Sequence, residues 1–354
     1  MNCCIECFRD SHIRATIERY GSIGDCDFCS HKSIATFDID DTSNQVSEMI
    51  ISLVQIYSVS DAAGARPLKI ALRDDWDIFT AGTESILALT KKLCAEAYSA
   101  EDEIFIKNVA VPRLSDSDFL NEFCVVRGHT WDEFSSSIKY INRFHNRMFN
   151  AKVFASFLPI LEKVYPVGTQ LYRARISNEN VGFTTDKMSA PPPEKRTSSG
   201  RINPEGVGVL YLSSDPKTTL NEARATAFDY VTIGTFRNEQ AIKVVNLSGI
   251  GGTSPFLYSG ELEEFAANRA VFQEIAAEIA KPLRRTDSPL SYLPTQYIAE
   301  FIKSQKYDGV EFTSTLRTGG YNLAIFDETL FNCLSVKTVE VSQILYDTNP
   351  SLDS

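Results

Sequence analysis

No stretch of the 354-residue chain approaches the roughly 20 consecutive apolar residues of a membrane span, and its first residues lack the apolar run of a secretory signal. The expectation is a cytoplasmic protein with no membrane partner. Positive charge is also short: 35 Lys and Arg face 46 Asp and Glu, a formal net charge of −11. That argues against broad, sequence-independent binding to duplex nucleic acid, while leaving room for a local basic patch. Neither G-x-x-x-x-G-K nor G-x-G-x-x-G occurs, so P-loop and Rossmann nucleotide sites have no support. No segment repeats.

What remains is an ordinary folded composition, 43% hydrophobic and 23% charged, long enough for two or three domains. Cysteine is concentrated at the front. Cys94, Cys124 and Cys333 stand singly in apolar surroundings and read as small buried hydrophobes. The other five fall in the first 29 residues, where Cys4-x-x-Cys7 is followed after eighteen residues by Cys26-x-x-Cys29. Four thiolates on two tight knuckles suit tetrahedral zinc with no open position, hence a structural ion. Paired disulfides or free thiols are the alternatives. Cys3 is a register alternative to Cys4, Gly24 helps the second turn, and His31 reads as a surface histidine.

Helical spacing dominates next. Ile13, Ile17 and Tyr20 share a face, as do Val46, Ile50, Leu53, Val54 and Tyr57, and then Ile86, Leu89, Leu93 and Ala97. Asp74–Phe79 reads as a solvated turn that tucks Trp76 and Phe79 into the core, in preference to an acidic metal site. Trp131, Phe134, Ile138, Ile141, His145 and Met148 step along one long helix. Helical nucleases pair an arginine with a histidine four to six residues later, and neither His129 nor His145 has that partner. The module carries no visible chemistry of its own.

After an amphipathic helix at 154–164 the pattern turns to strands. Leu171–Arg175 alternates, residues 177–200 form a Pro- and Ser-rich loop that reads as a lid, and Gly208–Ser213 is a strand with Tyr211 on one face. Asp215-Pro216 opens a helix that carries Glu222. Strands follow at 231–236 and 241–246, then helices around Phe265–Ile279 and Gln296–Gln305, and strands at 307–314, 321–326 and 336–346. Two fixed cations, Arg173 and Arg201, and the Glu222 carboxylate suit a ligand with a diphosphate and a polarised sugar.

The run Gly200-Arg201-Ile202-Asn203-Pro204-x-Gly206, Leu210-Tyr211-Leu212-Ser213 and Glu222 resembles the RES family. So do Tyr172-Arg173 before it and Tyr307-Asp308-Gly309-x-x-Phe312-x-Ser314 after it. The resemblance covers roughly residues 160–345; the front half is similar to extensions often joined to RES domains. It implies an α+β fold like that of the ADP-ribosyltransferase toxins, a split antiparallel β-core with flanking helices. The domains are then a zinc ribbon at 1–40, a helical module at 41–158 and the RES domain at 159–354. It also implies NAD as substrate, toxin activity by NAD degradation, and a partner antitoxin or immunity protein.

On that resemblance Glu222 stabilises the ribosyl cation, either through a ribose hydroxyl or by orienting water. Arg173 and Arg201 bind the diphosphate. Tyr211 stacks on nicotinamide or bonds the ribose, Ser314 holds the carboxamide or a ribose hydroxyl, and Tyr172 and Asn203 line the cleft. NAD glycohydrolysis is the first expectation. The alternatives are transfer of ADP-ribose to a protein and a non-catalytic zinc-ribbon adaptor; nucleic acid is not an expected partner.

Overall fold

The computed structural model describes residues 1–41, 44–80, 82–177, 180–190, 199–282 and 288–344. They form two compact units that do not follow the chain in consecutive blocks. One comprises Met1–Thr130, Arg147–Ile160 and Gly249–Val271; the other comprises Trp131–Asn146, Leu161–Ser248 and Phe272–Ser354. Residues 1–40 therefore share a unit with most of 41–158, and boundaries at 40 and 158 do not coincide with this division.

The first unit opens with β1 (Asn2–Cys4), α1 (Ser11–Tyr20), β2 (Ser22–Gly24) and β3 (Ile34–Asp38), the strands pairing in the order β1-β3-β2. The Asp10 side chain starts α1 by accepting from the backbone of His12 and Ile13, both at 2.9 Å. Ile13 and Ile17 are buried as their spacing predicts, but Tyr20 is exposed, because the helix ends there. Gly24 closes β2 opposite Ile34 and is not the turn before the second cysteine pair.

Then come α2 (Gln45–Gln55), β4 (Ser58–Val59), β5 (Arg66–Pro67), α3 (Leu68–Ala71), α4 (Thr83–Leu93), β6 (Asn108–Ala110) and α5 (Ser117–Phe123). Trp76 and Phe79 are buried; the Trp76 indole donates to Tyr57 Oη at 2.7 Å and stacks on Phe265. Asp75 is taken by Arg66 and Tyr57, which fits a turn folded onto the core.

The helix α6 (Trp131–Tyr140) buries Trp131, Phe134 and Ile138 as expected and then stops. The backbone amides of Ile141 and Asn142 both turn back to Ser137 O, and Asn142 Oδ1 accepts from His145 N at 3.0 Å. Asparagine here offers the chain a local alternative to the helix, so Ile141 and His145 are exposed in a turn, not on a long helix. Next, α7 (Ala151–Leu161) gives way at once to β7 (Glu162–Tyr165), so Val164 lies in a strand.

The second unit is built on an eight-stranded mixed sheet. Its remaining elements are β8 (Gln170–Ser177), β9 (Leu210–Ser213), α8 (Pro216–Glu222), β10 (Tyr230–Asn238), β11 (Ile242–Asn246), α9 (Leu262–Ala280) from Phe272 onward, α10 (Leu293–Ser304), β12 (Gly309–Thr313), β13 (Tyr321–Ile325) and β14 (Phe331–Glu340). Strand order is β14-β10-β8-β9-β13-β12-β11-β7, and β11 with β12 is the one parallel pair among the described strands. One face packs Leu171, Leu210, Leu212, Phe236, Leu323 and Ile325 into a core. At the middle, β8 and β9 meet through a single residue pair, Tyr172 with Ser213. The sheet is split there, as the α+β expectation held.

Candidate active site

A cleft of about 420 Å³ in the second unit is lined by Arg173, Arg201, Asn203, Tyr211, Glu222 and Asn322, among others. Its size suits a small-molecule ligand. Five of the seven residues singled out from the sequence line it.

The loop at 199–203 owes its shape to α10. Gln296 Nε2 donates to the carbonyls of Gly200 (2.8 Å) and Asn203 (3.1 Å), and Thr295 Oγ1 donates to that of Arg201 (2.6 Å). Within the loop, Gly200 N donates to Asn203 O at 2.9 Å. Asn203 Oδ1 in turn accepts from Tyr211 Oη at 2.8 Å, and burial pushes that phenol well above its usual range. A Cβ on Gly200 would lie 2.9 Å from Asn203 Oδ1 and 3.2 Å from Tyr211 Oη. Gly200→Ala should therefore displace this pair and cost about 1–3 kcal/mol of stability, measured by urea unfolding. An unchanged midpoint would show that the loop yields freely.

The two arginines differ. Arg201 is buried, its Nε donating to Lys281 O at 2.7 Å just past the end of α9, its Nη1 3.7 Å from Glu278 and its guanidinium over the Tyr292 ring. A cation suits the negative end of a helix. The fork expected to grip a diphosphate is thus largely turned toward α9. Arg173, on β8, has a buried Nη1 with no hydrogen-bond partner among the described residues. Burial, and then neighbouring Arg175, lower its pKa to about 10, which still leaves it charged at neutral pH. An anion would relieve the desolvation that this shift reflects.

Glu222 ends α8. That helix begins at Asp215, whose side chain accepts from the amides of Lys217 and Thr218 and pairs with Arg317. The loop from Ser314 to Gly320 lies against α8: Asn221 Nδ2 donates to Leu316 O, and a Cβ on Gly320 would come within 2.5 Å of Thr218 Oγ1. This packing brings Ser314 to Glu222 across 92 residues, and Ser314 Oγ donates to Glu222 Oε1 at 2.7 Å. Asn322 Nδ2 donates to the same oxygen at 2.8 Å, and Asn322 Oδ1 accepts from Ser213 Oγ at 2.8 Å. Oε2 receives no hydrogen bond among the described residues.

Asn322 and Ser213 were not foreseen. A polar asparagine inside the apolar strand Tyr-Asn-Leu-Ala-Ile was the available signal, since asparagine is depleted in strands. Tyr172 faces Ser213 in register but does not line the cleft. The lid expectation falls partly on 178–179 and 191–198, outside the described residues.

In the first unit, Cys4, Cys7, Cys26 and Cys29 bring their sulfurs within 4.8 Å of one another. The close pairs are Cys4–Cys7 at 3.9 Å, Cys4–Cys29 at 3.4 Å and Cys7–Cys26 at 3.7 Å. Four ligands about 2.3 Å from zinc stand about 3.8 Å apart on a tetrahedron, whereas a disulfide needs about 2.05 Å. The donor set fits a four-thiolate zinc site. Cys3 stands outside this group of four, and exposed His31 rests its Nδ1 3.3 Å from Cys29 Sγ.

Among solved structures, the chain is similar to the crystal structure of the M. tuberculosis MbcT–MbcA toxin–antitoxin complex. Identity is 11%, coverage is 53% of this chain and 93% of that chain, and the TM-score is 0.31. No curated protein matches it. A family model described as the RES domain matches residues 170–347, half of the chain and the whole of the described cleft lining. The chain belongs to the RES domain family.

Proposed function

We propose that the protein cleaves the nicotinamide–ribose bond of NAD, with water as acceptor. The observation that carries this reading is Glu222, whose Oε1 is held by two donors while Oε2 takes none among the described residues, at the wall of a cleft that Arg173 also lines, its buried Nη1 unpartnered among them. As the C–N bond breaks, its electrons pass to the nicotinamide ring nitrogen and positive charge builds on the ribose. A fixed carboxylate stabilises that charge. Water then bonds to the sugar carbon and gives up a proton to Glu222 or solvent, leaving ADP-ribose. Arg173 holds the diphosphate, and Tyr211 and Asn203 shape the wall beside it. Arg201 contributes to that binding so far as its guanidinium turns from α9.

Incubating the purified chain with NAD and separating the products by chromatography tests the reading. Free nicotinamide and ADP-ribose are expected in equal amounts. Label retained on a macromolecule would replace hydrolysis with ADP-ribosyl transfer, and unchanged NAD would remove both. Arg173→Ala should raise KM for NAD about tenfold to a hundredfold, the worth of a charge-assisted contact, with a smaller change in kcat. A loss confined to kcat would move Arg173 away from the diphosphate.

The four-cysteine site is proposed to hold one structural zinc, outside the chemistry. A protein partner of the antitoxin kind, implied by the family resemblance, is proposed to restrain the activity.

A further inference from the structure

Glu222 is poorly placed to hold its own side chain. It is the last residue of a seven-residue helix, it is exposed, and two residues later Arg224 turns left-handed at φ 53°. Helix ends fray, and a catalytic carboxylate must be fixed to a fraction of an ångström. The constraint has to come from elsewhere.

The sheet supplies it. Asn322 on β13 and Ser213 on β9 are direct register partners, so their side chains leave the same face side by side. Each is only 4% exposed. A carboxylate accepts and never donates, so the Asn322 amide must turn its NH₂ to Glu222 Oε1, which leaves Oδ1 facing Ser213. The Ser213 hydroxyl is then obliged to donate. Every polar group in the chain Ser213–Asn322–Glu222 has one workable orientation, and its inner two members stand on strands.

We propose that Asn322, held by Ser213, is a positioning residue that fixes the Glu222 carboxylate for cleavage of NAD. Its amide nitrogen and carbonyl are both committed, so it acts through Glu222. This rests on the NAD-cleaving reading and adds to it a cause for the carboxylate's orientation.

Asn322→Asp keeps the shape of the side chain and replaces the donor with an acceptor against Glu222. In the full-length chain near neutral pH, it should lower kcat for nicotinamide release about a hundredfold, the cost of a misplaced group. KM should stay close to wild type; the second buried carboxylate lowers the melting temperature, so rates are read well below it on folded protein, where a loss confined to kcat is a split that a merely structural role would not give. Ser213→Ala should lower kcat about tenfold or less. The double variant should be no slower than Asn322→Asp alone, because both act along one chain. Wild-type kcat in Asn322→Asp, a loss carried wholly by KM, or multiplying effects in the double variant would overturn the proposal while NAD cleavage stood. If wild-type protein releases no nicotinamide, the NAD reading falls and the proposal falls with it.

Discussion

Replacing Glu222 with glutamine should lower kcat for nicotinamide release by about a thousandfold, the scale of losing a fixed electrostatic partner of the transition state. The substitution is informative because it spares the geometry. A glutamine Oε1 can still accept from Ser314 Oγ and Asn322 Nδ2, now at 2.7 and 2.8 Å, so the side chain need not move. What disappears is the negative charge. Binding should change little, since the diphosphate is proposed to lie with Arg173. Nicotinamide release under saturating NAD, with thermal unfolding as the control on folding, measures both. A folded variant that turns over at the wild-type rate would remove Glu222 from the chemistry.

The other large effect concerns the thiolates. Purified protein should carry one zinc per chain, and Cys26→Ala should abolish it together with the fold of the ribbon. The strands there are only three to five residues long, too short to stand by themselves. Structural zinc in small domains contributes about 10–16 kcal/mol to folding, far more than such a sheet can supply otherwise. Metal analysis would show the loss, and hydrogen exchange would report it as fast exchange through Asn2–Asp38. NAD cleavage should persist within a few-fold, because the described residues lining the cleft all lie in the other unit. Full zinc occupancy in Cys26→Ala would refute the ligand set.

The residues that gather at the cleft were legible in the sequence where chemistry is local. Tyr211 and Glu222 lie on adjacent elements, and the Asp215-Pro216 helix start fixes their relation. Cys4, Cys7, Cys26 and Cys29 were legible from spacing alone. Orientation was not. Whether Arg201 faces a ligand or the end of α9 depends on carbonyls some eighty residues away, which no local pattern encodes. Asn322 was hidden for the same reason, its role being set by strand register with Ser213. The early end of α6 and the interleaving of the two units are likewise tertiary outcomes.

The way α10 holds the cleft loop also bears on how this protein can diversify. Backbone groups at Gly200, Arg201 and Asn203 are committed to Thr295 and Gln296, so insertions between 200 and 203 would have to break three contacts at once. Glu205 and Gly206, a step further on, are exposed. Lengthening the chain there would remodel an exposed segment next to the cleft loop and leave those three contacts in place. A library built at those two positions would sample changes beside the site without unfastening it from α10.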